Sequence, residues 1–346
     1  MQGRGRLAVG GTRRPTIKTV AARAGVGRTT VSRVLNGSPL VSEQARAAVL
    51  AAIAELNYVP NSVARSLVTS RTHSIALVIP ESESRLGGEP YFSAVIRGVS
   101  AGLSGTKNQL LLILVRDEEE LGRLTEFLTA GRVDGVLLVS VHRDDPLPGL
   151  LEQLGLPTVL AGRRCAEEPL HHVHSDNVAG ASAAVRHLLD RGRTTIGTIT
   201  GPLDMDAGLS RLEGWRRALH EAGLGPDEEL IGPADFTEEG GRLAMRELLR
   251  RRPGLDAVFA ASDVMAAGAL AELRRQGRRV PADVALVGYD DSIVARHTDP
   301  PLTSVRQPVE EIGRTITEIL LQEIAEPGSA RRHVVLPTSL VPRASS

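Results

Sequence analysis

From Ser74 onward, short apolar runs alternate with amphipathic stretches, and this alternation restricts the fold more than any other feature of the chain. The strand-like runs are 75–79, 110–115, 133–139, 158–161, 195–200, 257–260 and 284–287. The helix-like stretches between them are 92–103, 118–129, 179–189, 211–221, 240–250 and 264–274. A parallel neighbour requires a crossover, and a helix supplies it. Alternation of this kind therefore predicts parallel sheets covered by helices on both faces. About 270 residues exceed what one such core holds comfortably, so two sheets, in two lobes, are expected. Ligands on sheets of this kind bind beyond the carboxyl ends of the strands, which puts a site in the cleft between facing lobes.

The first 71 residues have a different texture. They carry eleven Lys or Arg against Glu43 and Glu55, a surplus of nine positive charges that the other 275 residues cancel to a net of zero. A basic module on an acidic body is the footprint of a polyanion binder. Residues 1–15 are rich in Gly and Arg and read as a disordered basic arm without the apolar core of a secretory signal. From Thr16 to Tyr58 the spacing is helical. Val20, Ala21 and Ala24 share one face, Val31, Val34 and Leu35 another, and Gly25 falls between them as a turn. A third helix begins after Ser42, a good N-cap, and turns Val49, Leu50, Ile53 and Leu56 inward. Pro60 ends it.

Small residues at Ala21, Ala24 and Gly25 let a second helix cross the first closely, as a helix-turn-helix requires. The positions left outward on that second helix are Arg28, Thr29, Thr30, Ser32, Arg33 and Asn36. Arginine grips guanine edges with two hydrogen bonds; hydroxyls and amides suit phosphates or adenine. The first turn of such a helix enters the major groove.

The string from Val20 to Asn36, with Ala21, Ala24-Gly25-Val26 and Thr30-Val31-Ser32-Arg33-Val34-Leu35-Asn36, is followed by Leu56-Asn57-Tyr58-Val59-Pro60-Asn61. It resembles the LacI/GalR family of repressors, and the resemblance runs from Thr16 to Arg343. It implies base contacts from Arg28, Thr29 and Arg33 and phosphate contacts from Thr30, Ser32, Asn36 and Tyr58. One departure is Gly27, where the family usually has Ser; an N-cap hydroxyl is lost. Residues 61–67, Asn61 to Leu67, resemble the family's hinge helix. Seven residues are too few for an isolated helix, so DNA and a second copy would order it. Ala64 and Leu67 share a face, and Leu67 would wedge into a minor-groove base step.

Further along, Asp134-Gly135-Val136, Asp176 to Gly180, Ser210 to Trp215, Val287 to Asp291 and Pro300 to Gln307 are similar to the family's sugar- and purine-sensing domain. The implied fold is an all-α helix-turn-helix headpiece plus a periplasmic-binding-protein-like α/β effector domain of two doubly wound parallel-sheet lobes. Its expected organisation is a headpiece at 16–60, a hinge helix and linker at 61–73 and an effector and dimerisation domain at 74–343. The N-lobe takes 74–174 and 306–330, and the C-lobe 175–305 and 331–343. Only eight residues are aromatic. Tyr91, Phe92, Phe236 and Tyr289 fall at or beside positions matching the family's ligand cleft, whereas Phe127 and Phe259 read as core. Flat rings stack on a sugar face or a base, and polar groups fix orientation. The expected ligand residues are Tyr91, Phe92, Asp176, Arg211, Phe236, Ser262, Asp290 and Gln307, with Ser262 standing where several relatives have Asn.

Other chemistries find little support. Adjacent Asp290 and Asp291 should point apart and have no nucleophile motif, which argues against an enzyme. His171, His172 and His174 lack metal-ligand spacing, and no nucleotide-phosphate loop is present, so neither metal nor cofactor is expected. No apolar run is long enough to cross a membrane. The lone Cys165 fits a reducing cytoplasm and reads as a small, at least half-buried hydrophobe. The expected partners are a palindromic operator duplex, a small effector (a sugar or sugar derivative) and a second copy in a homodimer, with a tetramer left open. The alternatives are a nucleobase-sensing regulator and a solute-binding protein. The latter would carry a signal peptide and no basic headpiece.

Overall fold

A computed structural model describes residues 15–35, 37–58 and 71–346. They divide into two compact units, one ending at Thr72 and the other running from His73 to Ser346. Among its described residues the first holds three helices: α1 (Ile17–Ala24), α2 (Arg28–Leu35) and α3 (Glu43–Glu55). Thr16 and Thr19 cap the start of α1 reciprocally, and Gly25, at φ 66°, ends it in the left-handed region that glycine enters freely. The Gly27 carbonyl receives the first backbone bonds of α2, at 3.0 and 3.2 Å. Ser42 Oγ accepts from the Ala45 N–H at 3.3 Å and caps α3. Val20, Ala21, Val31, Val34, Val49, Ala52 and Tyr58 form the core of this unit. Leu50, expected to turn inward on α3, is 53% exposed.

The second unit contains two six-stranded sheets. The strands are β1 (Ser74–Ile79), β2 (Gln109–Leu114), β3 (Gly135–Val139), β4 (Thr158–Ala161), β5 (His171–Ser175), β6 (Ile196–Thr200), β7 (Ile231–Pro233), β8 (Ala257–Ala260), β9 (Ala285–Asp290), β10 (Thr303–Arg306), β11 (His333–Leu336) and β12 (Ser339–Val341). The first sheet runs β11-β5-β4-β3-β1-β2 and the second β12-β10-β9-β8-β6-β7. All neighbours are parallel except β10 and β12. The helices are α4 (Glu83–Gly88), α5 (Pro90–Leu103), α6 (Glu118–Thr129), α7 (Leu147–Gln153), α8 (Asn177–Asp190), α9 (Asp206–Glu221), α10 (Glu238–Arg251), α11 (Asp263–Arg275), α12 (Ile293–His297) and α13 (Val309–Ala325).

Three expectations need correction. Residues 331–343 do not all belong to the C-lobe: β11 pairs with β5 of the first sheet, where Val334 and Leu336 cover that lobe's core, and only β12 joins the second. The longest helix, α13, is absent from the expected elements, although Val309, Ile312, Ile316, Ile319 and Leu320 show its spacing and are buried. Cys165 is exposed, in the turn before β5. Helix α13 packs on α5 so closely that a Cβ on Gly98 would collide with the Glu310 carbonyl. The Trp215 ring is fully buried under the second sheet, and its Nε1–H donates to the Ile196 carbonyl at 3.2 Å.

Candidate functional site

In the headpiece, burying Val31 and Val34 leaves the opposite side of α2 outward. Arg28, Thr29 and Arg33 are exposed, and Thr30 and Ser32 are half-buried. Among the described residues neither Arg28 nor Arg33 has an ion-pair partner, whereas Arg23 on α1 is paired with Glu55 at 2.6 Å. The two free guanidiniums and the hydroxyls thus share one surface, fitted to a polyanion with hydrogen-bonding edges. Tyr58, expected at a phosphate, is 9% exposed and closes the headpiece core. The expected contacts Asn36, Asn61, Ala64 and Leu67 lie outside the described residues.

The second candidate site is a cavity between the two sheets. Its wall is made at carboxyl ends of parallel strands, as expected for such sheets. Ser140 and Val141 follow β3, Gly162 and Arg163 follow β4, Ser175 ends β5, and Asp290 ends β9. The first turn of α5 brings Tyr91, α8 brings Asn177, α9 brings Arg211, and the turn before α10 brings Phe236. Ser140 and Phe236 (both φ 64°) and Asp290 (φ 109°) occupy left-handed backbone. Such conformations cost about 1–3 kcal/mol each and persist where surrounding packing imposes them, often at binding sites.

The wall is a hydrogen-bonded network. Arg211 donates from Nε to Asn177 Oδ1 at 2.9 Å and from Nη1 to the Ala261 carbonyl at 2.6 Å. Its guanidinium lies over the Tyr289 ring at 3.8 Å and 4.0 Å from Asp290 Oδ1. Gln307 Nε2 donates to Asp290 at 2.6 Å while its Oε1 accepts from Ser175 Oγ at 2.9 Å. On the other lobe, Arg85 pairs with Glu81 and, at 3.0 Å, with Glu89. Burial pushes the Glu89 carboxyl up to about 7 despite the Arg85 charge. Burial likewise raises Asp290, against the pull of Arg211. Asp291 points elsewhere, to Arg306 at 2.7 Å and to Arg343.

Of the expected ligand residues, Tyr91, Arg211, Phe236, Asp290 and Gln307 meet in this wall. Three do not. Phe92 is 1% exposed in the core of the first lobe, because the step from Tyr91 turns the next side chain inward. Asp176 accepts from the Ala179 N–H at 2.9 Å as the N-cap of α8. Ser262 is fully buried as the N-cap of α11, accepting from the Met265 N–H at 3.2 Å. Tyr289 is buried beneath Arg211 rather than in the wall. Sequence reasoning passed over Arg85, Glu89, Asn177, Arg163 and Asp206. The spacing of Glu81, Arg85 and Glu89, four residues apart, was the available sign of a charged row.

Comparison with known proteins agrees with both parts of the chain. Residues 16–61 match the family described as bacterial regulatory proteins, lacI family, and residues 185–346 match the periplasmic binding protein-like domain. The HTH-type transcriptional regulator CelR of Thermobifida fusca is 50% identical over 335 residues, covering 96% of this chain and 98% of that protein. The solved complex of the transcriptional regulator CelR with cellobiose superposes with a TM-score of 0.77 at 48% identity, over 96% of this chain and 100% of that one. The lac repressor dimer bound to operator and the anti-inducer ONPF superposes with a TM-score of 0.84 at 27% identity, over 96% and 99%.

Proposed function

The chain belongs to the LacI family of bacterial regulatory proteins, and from that premise we propose a repressor whose grip on its operator answers to a neutral glucose disaccharide of the cellobiose kind, held between the lobes. It is a sequence-specific DNA-binding regulator, not an enzyme, and the solute-binding alternative falls with the family match of the headpiece. In this reading Arg28, Thr29 and Arg33 contact bases, and Thr30 and Ser32 contact phosphates. Two copies bind a palindromic site, as the related lac repressor binds operator as a dimer. Among the described residues no helix is long and apolar enough to cross a membrane, and the place of work is the cytoplasm, where the operator is.

The observation that carries the effector class is the charge balance of the cleft. Each guanidinium in its wall already faces a carboxylate: Arg85 faces Glu81 and Glu89, Arg163 faces Asp206 at 3.0 Å, and Arg211 faces Asp290. A phosphorylated sugar would have to displace one of these pairs. A polyol needs only the donors and acceptors already aligned, with an apolar ring beside them. Guanidiniums of Arg85 and Arg211 stand over the Phe236 ring at 5.4 and 5.7 Å, which disfavours a nucleobase stacked there. Calorimetric titration of the full chain with cellobiose, glucose 6-phosphate and hypoxanthine tests the reading. Binding of cellobiose alone is expected; tight binding of either of the others with none of cellobiose overturns it.

A further inference from the structure

Apart from the chain crossings, the two lobes also meet through side chains. His142, on the turn after β3, has a carboxylate at each ring nitrogen: Nε2 lies 3.3 Å from Glu81 Oε1 in its own lobe, and Nδ1 lies 2.6 Å from Asp204 Oδ2 in the other. A neutral imidazole has one N–H and one lone pair, so it can donate to only one of them; the imidazolium donates to both. The next residue reinforces the contact, since the Arg143 N–H donates to the Asp204 carbonyl at 2.8 Å. Two residues on, Asp206 is 3.0 Å from Arg163 of the first lobe. Residues 204–206 are thus held from across the cleft at three points, and Met205 and Asp206 belong to the cavity wall.

We propose that His142 is a charged clasp: its doubly protonated ring holds the lobes closed over the cleft, so the effector is retained more tightly when the ring carries both protons. The charged groups facing the ring are Glu81 beyond β1, Arg85 on α4 behind Glu81, Asp145 on its own turn and Asp204 before α9. Ser140 Oγ donates to Glu81 at 2.6 Å and fixes it in place. The hydrogen bond to Glu81, opposed by burial and aided by Asp204, pushes the ring up to about 9. For Glu81, burial pulls upward, but His142, Arg85 and Ser140 together hold it below its ordinary value. Glu81 therefore stays ionised while the ring titrates. Because the ring's pKa is raised, the clasp is complete below the ordinary histidine value of about 6.5 and is lost as pH rises through about 9.

The coupling to effector rests on the sugar reading above; the clasp itself is testable without it. Ring-labelled histidine NMR of the full chain, with H142Q identifying the signal, should show one imidazole doubly protonated up to about pH 9 and titrating lower in D204N and E81Q. Titration with cellobiose from pH 6.5 to 10 should show affinity falling about three- to tenfold across the titration of the ring, and a weaker, flat profile in H142Q. A ring that titrates at the ordinary histidine value of about 6.5, or an H142Q chain that keeps the wild-type pH profile, overturns the proposal. If cellobiose does not bind at any pH, the sugar reading fails alone. The clasp is then decided by the NMR midpoint and by X-ray scattering, in which the radius of gyration should grow through that window in the wild type and stay constant in H142Q.

Discussion

Arg33 stands outward on α2 with its guanidinium free of any ion pair among the described residues, while Arg23, one helix earlier, is tied to Glu55. A free fork costs nothing to detach before it meets a guanine edge. Arg33→Ala should lose about 1–3 kcal/mol of operator affinity and blunt base preference, read by fluorescence anisotropy on matched and scrambled duplexes; equal affinities for both chains would remove Arg33 from the interface. In the cleft, the residue to titrate is Glu89. Its folded pKa is raised to about 7, so between its ordinary value and 7 the native state holds a proton that the unfolded chain releases. Stability contributed by that proton is lost as pH rises through this window. Glu89→Gln, which stays neutral, should match the wild type near pH 4 and gain on it progressively to pH 8 in thermal midpoint. A gap that does not widen with pH would show that burial is not what governs this carboxyl. The outward positions on α2 were legible in the sequence because helical periodicity alone decides them. Glu89 was not, because its burial depends on a lobe more than a hundred residues away.

At the scale of elements, the helix pair α5 and α13 is decided by missing side chains. Gly98 leaves no room for a methyl group against the Glu310 carbonyl, so Gly98→Ala should destabilise by about 1–3 kcal/mol through overpacking. Gly122 on α6 has open space around it, and Gly122→Ala should stabilise by roughly 1 kcal/mol from helix propensity. Urea denaturation of both variants checks the pair, and shifts of the same sign would refute the packing argument. The limits of the helices that periodicity indicated were legible to within a few residues, since a cap such as Ser42 is local chemistry. Ser262 and Asp176 show the limit of that reading. Both are polar residues at strand-to-helix junctions, the position of a ligand group and of an N-cap alike, and the hydrogen bonds of the folded chain assign them to the helices.

For the whole molecule, effector and operator each favour one arrangement of the protein, and linkage requires the two effects to be equal. The factor by which saturating cellobiose changes the operator dissociation constant should equal the factor by which saturating operator changes that of cellobiose. Paired titrations in one buffer check this, with salt held fixed because phosphate contacts make operator affinity steeply salt-dependent. Equal factors of one would mean that the cleft does not regulate DNA binding.

The alternation of seven of the strands with six of the helices, the small residues at the helix-turn-helix crossing and the surplus of positive charge before residue 72 were determined by the sequence itself. Each follows from periodicity, backbone preference or composition within a short stretch of chain. Tertiary structure alone decided that β11 belongs to the first sheet and β12 to the second, that Phe92 and Tyr289 are core while Tyr91 and Phe236 face the cleft, and that His142 meets Asp204. These depend on how the lobes pack and cross, so the partners are distant in sequence and no local pattern encodes them.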